Sequence, residues 1–435
     1  MTLLAGSARI DITPAGSVPM SGYGARTEPS SGTHDPLYAT ALLLDDGART
    51  VAVVSADLLN VSRRLTAGVE RRLAHAAVPV DDLLLAATHT HGGPYVPTPA
   101  IDVHPTLSVD EDVSSVLDGI EEGIAEAITT AHGRLEPATA RVGTATTDTV
   151  VNRRAKLGAR LPAETVDREV IALAVTGDSG AETLLYSLAC HPVSITGSET
   201  RFTADWPGVV RRLVPEEREG EPTVLFLNGA AGDVTTRAIT NGSNPDEDPY
   251  AYMETVGGEL AESVLAALVD AENGSPIDHG PLLTERRALR LPVKRTPPID
   301  VLDRRRRDLE AQRARLVEDG HDRAAARYRR DLAYLDELRS IADWGVGHLP
   351  ARLQYVELGP IGLLGFPGEA FAQHGLDLKA AATAETLVPV GYATDYVGYL
   401  PTLAELENWG YEVRTTKVSP EAVVRFREAA LELVS

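Results

Sequence analysis

Four segments of this chain carry side chains suited to metal or acid–base chemistry. His89-Thr90-His91-Gly92-Gly93-Pro94 follows the apolar run Leu83-Leu84-Leu85-Ala86-Ala87. Residues i and i+2 of an extended segment share one face, so both imidazoles are expected to point the same way at the carboxyl end of a strand. Such a pair can bind a metal or move a proton, the plainer alternative being two hydrogen-bonded loop histidines. A second run, Leu184 to Ala189, ends in Cys190-His191-Pro192. A third, Val224-Leu225-Phe226-Leu227, leads into Asn228-Gly229-Ala230-Ala231-Gly232-Asp233-Val234-Thr235, whose glycines let backbone N–H groups approach a ligand. A fourth ends in Phe366-Pro367-Gly368-Glu369.

Open α/β sheets bind ligands beyond the carboxyl ends of their strands, so these four endings are expected to converge on one site. Two neutral imidazoles and a carboxylate suit Zn²⁺ and leave a position for water, whose pKa falls toward neutrality there. His89, His191 and Glu369 could supply those ligands, with His91 beside the water as proton shuttle. The one cysteine, Cys190, excludes an intrachain disulfide and a cysteine-based zinc cluster. Asp205, in Ala204-Asp205-Trp206-Pro207, reads as a helix cap, and Asp57 and His34 are weaker candidates.

The elements that must position these residues read as α/β, with mixed sheets and flanking helices. Apolar runs predict strands over 50–59, 82–89, 169–176, 183–189, 222–227 and 353–366, the last with a turn near Gly359-Pro360. Val113, Val116, Leu117, Ile120, Ile124 and Ile128 share one helix face, and Met253, Val256, Leu260, Val264 and Leu268 another. A further helix is predicted over 420–434. Residues 299–343 carry a thin apolar stripe (Leu302, Leu309, Leu316, then Ala325, Tyr328, Leu332, Leu335) broken at Gly320, which predicts a charged helical hairpin inserted on the surface of one catalytic domain. Its run Arg304–Arg307 reads as a solvated helix face rather than a basic patch.

A chain of 435 residues that is 43% hydrophobic can bury a large core. Its formal net charge of -22 argues against nucleic acid and anionic lipid headgroups as partners. The start, MTLLAGSARIDITP, lacks a basic and then apolar leader, and no apolar stretch approaches the roughly 20 residues of a membrane span. The expectation is a cytoplasmic protein without a stable membrane anchor.

In ordered motifs along nearly its whole length the sequence resembles the neutral/alkaline non-lysosomal ceramidases. They are Asp11-Ile12-Thr13-Pro14, His34-Asp35-Pro36-Leu37, His89-Thr90-His91, Asn152-Arg153, His191-Pro192, Gly232-Asp233-Val234, Pro367-Gly368-Glu369, Asp395-Tyr396-Val397-Gly398-Tyr399-Leu400-Pro401-Thr402 and Gly410-Tyr411-Glu412. The resemblance implies that fold and a zinc ion held by His89, His191, Glu369 and Tyr399. It also implies a substrate-orienting Arg153 and a substrate-binding Tyr411. The catalytic machinery it points to has His91 or a nearby carboxylate accepting the water's proton. Tyr399, Tyr411 and Arg153 would stabilise the tetrahedral oxyanion, and Asp233 would orient a ligand or a turn.

Two departures follow. Thr235 stands where the family's ceramidases have serine, and a hydroxyl that only hydrogen-bonds survives the change. The chain stops after its last helical pattern, where secreted ceramidases continue into an immunoglobulin-like domain. The expected reaction is hydrolysis of an amide (N-acyl) bond in a small molecule more soluble than ceramide. Zinc-dependent esterase, lactonase or deacetylase chemistry on the same scaffold is the neighbouring reading. A non-catalytic binding protein is the distant one, and retention of all four apparent ligands counts against it. Phosphoester hydrolysis lacks both a Walker-type loop and a carboxylate cluster.

Overall fold

The computed structural model describes residues 2–24, 26–98, 111–157, 165–218, 220–237, 248, 250–408 and 410–435. Its largest sheet has eight strands in the order Thr223–Asn228, Glu182–Leu188, Glu169–Gly177, Glu136–Thr146, Leu4–Asp11, Tyr38–Asp45, Thr50–Ala56, Asp82–Ala87. The outermost pair at each end is parallel and the rest are antiparallel. Only Leu4↔Pro137 and Ala5↔Glu136 join the two halves, and the sheet folds over at that seam. Its far halves therefore meet: Ser55 Oγ donates to Phe226 O at 2.5 Å. A four-stranded sheet, Leu282–Pro292, His348–Leu358, Ile361–Gly365 and Thr386–Val390, makes a third layer.

Period-two alternation explains how three β-layers share one core. Leu42, Leu44, Val51, Val53 and Leu84 face Leu173, Val175, Leu185, Leu225, Val356, Leu363 and Val388 across the centre. The intervening residues Leu43, Ala52, Val54 and Leu85 face outward, onto helices Arg63–His75 and Glu111–His132. Leu184, Tyr186 and Val224 likewise meet helices Trp206–Glu216 and Ala251–Asn273. Leu353, Leu364 and Leu387 meet Pro420–Val434. Both faces of these strands are covered, which is why they read as continuous apolar runs rather than alternating ones. Each fully buried Leu or Val contributes about 1.5–3 kcal/mol.

The hairpin is present as Ile299–Glu318 and Asp322–Asp343, and it leaves the core between the paired strands Leu282–Pro292 and His348–Leu358. Leu302, Leu309 and Ala325 are buried, joined by Leu338 and Ile341, whereas Leu316, Tyr328, Leu332 and Leu335 are half-buried. The arginine run is a solvated face: Arg304 pairs with Asp300, and Arg306 with Asp336. Among the described residues no helix is long and apolar enough to cross a membrane.

Candidate active site

Strand Asp82–Ala87 stops two residues before His89. Thr88 and His89 turn away from it, their amides donating to Ala56 O and Leu58 O, each at 2.9 Å. His89 has φ 71, a left-handed conformation that costs an L residue about 1–3 kcal/mol. Two imidazoles side by side on extended chain were the expectation, and this turn changes the geometry. The rings of His89 and His91 meet edge to face, 5.1 Å between centroids with planes at 88°.

His191 follows strand Glu182–Leu188, whose parallel neighbour Thr223–Asn228 ends in a buried amide. Asn228 Nδ2 donates to Thr88 O at 3.1 Å and Cys190 O at 3.0 Å, while Oδ1 accepts from Cys190 N at 3.2 Å. One side chain thus fixes the endings that carry His89 and His191. Their rings lie 4.7 Å apart at 85°. His89 Nδ1 is 2.7 Å from Leu59 O, and His191 Nδ1 is 2.6 Å from Ala231 O. One ligand atom from each of His89, His91 and His191 falls within 4.8 Å of the other two.

Glu369 enters from the third layer. Glu369–Ala370 pairs in parallel with Tyr399–Leu400, making Glu369 and Tyr399 direct cross-strand partners. The Gly232 turn closes on this pair: Gly232 N donates to Ala370 O at 2.8 Å, and a Cβ there would sit 2.4 Å from Glu369 O. Glu369 Oε2 lies 3.0 Å from His191 Nε2 and 3.4 Å from His89 Nε2. Its other oxygen accepts from the Tyr396 hydroxyl. Arg153 NH2 donates to Gly232 O at 2.7 Å and Tyr399 Oη at 3.1 Å, and its Nε lies 2.8 Å from Glu412 Oε1.

Burial and charge divide these groups. Burial, then Arg153, pushes His191 down to about 4. Burial, with His89 and His191, pushes His91 well below the usual value. Arg153 is buried too, but Tyr399, Glu412 and Glu369 hold its pKa above that of a free arginine. Burial and Glu369 push Tyr399 well up. The site sets a fixed positive guanidinium and a carboxylate beside imidazoles, of which His91 and His191 are held neutral by burial.

His89, His91, His191, Glu369, Tyr399 and Arg153 therefore come together from five separate segments of the chain. Tyr411 stands at the rim, 59% exposed, its ring 6.0 Å from that of Tyr399. Thr235 lies in Val234–Thr236 with its buried hydroxyl unpartnered. Asp233 has both oxygens occupied, accepting from Ala372 N at 2.8 Å and Asn152 Nδ2 at 2.7 Å. Burial raises its pKa to about 6. Asp205 caps helix Trp206–Glu216 as expected. Asp57 pairs with Arg211, and His34 with Asp35 while stacking on Tyr250.

Sequence reasoning passed over Tyr396, which reaches Glu369, and Tyr392, stacked on His89 with 3.9 Å between centroids. It also passed over Asn228, Arg154 and Glu412. A polar residue closing the apolar run 224–227 was the available signal for Asn228.

Two solved structures share this architecture. A neutral ceramidase from Pseudomonas aeruginosa superposes with a TM-score of 0.80 at 20% identity, over 100% of this chain and 74% of that one. A ceramidase complexed with C2 superposes with a TM-score of 0.79 at 19% identity, over 100% of this chain and 75% of that one. At those identities the likeness establishes the mixed α/β fold. Residues 3–261, more than half of the chain, match the model of the neutral/alkaline non-lysosomal ceramidase N-terminal region, and the chain belongs to that family.

Proposed function

We propose that this protein is a zinc-dependent hydrolase that cleaves an amide (N-acyl) bond with water. Family membership supports the reaction class. The donor set supports the metal. Both Nδ1 atoms of His89 and His191 face carbonyl oxygens, which only accept, so the ring protons sit there and each Nε2 presents a lone pair. Those lone pairs converge on Glu369 Oε2, itself an acceptor, at 3.4 and 3.0 Å. Three acceptors at such distances repel unless a cation lies among them, and this is the observation that carries the reading. Buried His89 Nε2 and both ring nitrogens of His91 are also without hydrogen-bond partners.

Neutral imidazoles with a carboxylate and a phenol suit zinc, with His89, His191, Glu369 and Tyr399 as its ligands. A zinc ion held there lowers the pKa of a water toward neutrality and polarises an acyl carbonyl. His91, kept neutral by burial, accepts a proton on a free ring nitrogen. Arg153, permanently charged, and the Tyr399 hydroxyl it bonds stabilise negative charge developing on the carbonyl oxygen. Tyr411 binds substrate at the rim. The Thr235 hydroxyl serves as a hydrogen-bonding group, and Asp233 holds the Asn152–Ala372 junction under the site. The acidic surface favours a small N-acyl compound over a lipid embedded in an anionic membrane.

The test is hydrolysis of short- and long-chain N-acyl amides beside matched esters, by zinc-loaded and chelator-treated protein. Amide cleavage that disappears on chelation and returns with zinc supports the reading. Cleavage of esters alone moves the assignment to the neighbouring esterase class.

A further inference from the structure

Beside the site one buried carboxylate answers to two guanidinium groups. Glu412 Oε1 lies 2.8 Å from Arg153 Nε, and Glu412 Oε2 accepts from Arg154 NH1 at 2.8 Å. Arg154 is 0% exposed. Its Nε donates to Glu405 Oε2 at 2.6 Å and its NH2 to Asn408 O at 3.1 Å. At Gly410 the backbone closes so tightly on the same guanidinium that a Cβ would lie 2.3 Å from NH1. All of these contacts fall on helices Leu403–Leu406 and Tyr411–Thr415 and on Asn408 and Gly410 between them. Helices of one turn do not hold themselves in place, so their position must come from tertiary contacts. Arg154 is in turn rooted in the floor of the site: its amide donates to Asn152 Oδ1 at 2.9 Å, and Asn152 holds Asp233.

We propose that Arg154, acting through Glu405 and Glu412, is a positioning residue that clamps the 402–416 segment against the site, so that Tyr411 and Arg153 keep the places hydrolysis requires. The proposal rests on the hydrolytic reading above for its kinetic consequence, while the clamp itself is a statement about the segment. Arg153 and Arg154 balance Glu405 and Glu412. Removing Arg154 alone leaves two buried carboxylates facing one guanidinium, which destabilises the fold whatever Arg154 does for catalysis. Arg154→Met/Glu405→Gln restores the balance, leaving Arg153 with Glu412, but the clamp stays cut.

The experiment compares wild type, Arg154→Met, Arg154→Lys and the double variant. Its readouts are kcat and KM on an N-acyl amide, thermal midpoint, zinc content, and hydrogen exchange across 403–415 beside strand Thr223–Asn228. The double variant is expected to regain most of the stability lost in Arg154→Met and to keep its zinc and the exchange of the strand. Exchange across 403–415 rises, and kcat/KM stays about 10–100-fold below wild type, the scale of a misplaced substrate contact. Arg154→Lys recovers part of that loss. A double variant with wild-type kcat/KM, or with unchanged exchange across 403–415, overturns the clamp. A wild type that hydrolyses nothing defeats the proposed function instead, and the exchange comparison still decides the clamp.

Discussion

His191 Nε2 lies 3.0 Å from Glu369 Oε2, and with the Nδ1 proton directed at Ala231 O neither atom has a hydrogen to offer the other. The zinc proposed for this site supplies a positive charge between these partners. The rest of the site is arranged around that contact, with Tyr396 steadying Glu369 from behind.

Tyr396→Phe deletes the hydroxyl that donates to Glu369 Oε1 and leaves the proposed ligands in place. Zinc affinity is expected to weaken by about 10–100-fold, with activity recovered at high zinc. Competition with a chelator of known affinity measures it. Unchanged affinity would mean that Tyr396 does not orient the carboxylate.

Thr235→Ser keeps the hydroxyl and is expected to hydrolyse amides at close to the wild-type rate. Thr235→Val removes the hydroxyl at similar volume and should slow kcat/KM by about tenfold, the kinetic worth of one neutral hydrogen bond. Pre-steady-state kinetics distinguishes this from a covalent role, which requires an acyl-enzyme burst in wild type and complete loss in Thr235→Val.

Asp233→Asn replaces a carboxylate that accepts two N–H groups with an amide that can accept only on one side. A donor then faces a donor in a buried place, at a cost of about 1–3 kcal/mol. Urea unfolding is expected to register that loss, with kcat falling far less than in a ligand variant. Wild-type stability with a collapsed kcat would make Asp233 catalytic instead.

His374 lies outside the cluster, buried and 3.3 Å from Pro401 O, and burial pushes its pKa to about 4. As pH falls from about 6.5, the unfolded chain takes up a proton that native His374 refuses until about pH 4, so stability is lost across that window. The loss approaches roughly 3 kcal/mol, an order-of-magnitude figure for the shift to about 4. His374→Gln should lose correspondingly less stability between those pH values, read from urea midpoints. Parallel curves for the two proteins would contradict the assignment.

Much of the site was legible because buried strands advertise both themselves and their ends. Leu83–Ala87 and Leu184–Ala189 are apolar on both faces, and each stops at a polar, glycine- or proline-marked exit carrying a histidine. What escaped depends on contacts between distant segments. The two-residue pairing that sets Glu369 against Tyr399 is too short to have a periodicity. Strand Leu282–Pro292 escaped because its exposed residues are charged, with Arg286 reaching Asp82, so Thr284-Glu285-Arg286-Arg287 reads as polar loop. Leu4–Asp11 is the hinge of the folded sheet, yet its Gly and Ser dilute the apolar pattern. The left-handed backbone of His89 and Tyr392 leaves no trace in residue type, since neither is a glycine.

Zinc content bears most directly on the central claim. Elemental analysis of purified wild type, after reconstitution and removal of loosely bound metal, is expected to give about one zinc per chain, and His89→Ala/His191→Ala protein that is folded by circular dichroism should give none. A wild type that retains no zinc would contradict the account and leave a binding protein on a ceramidase fold.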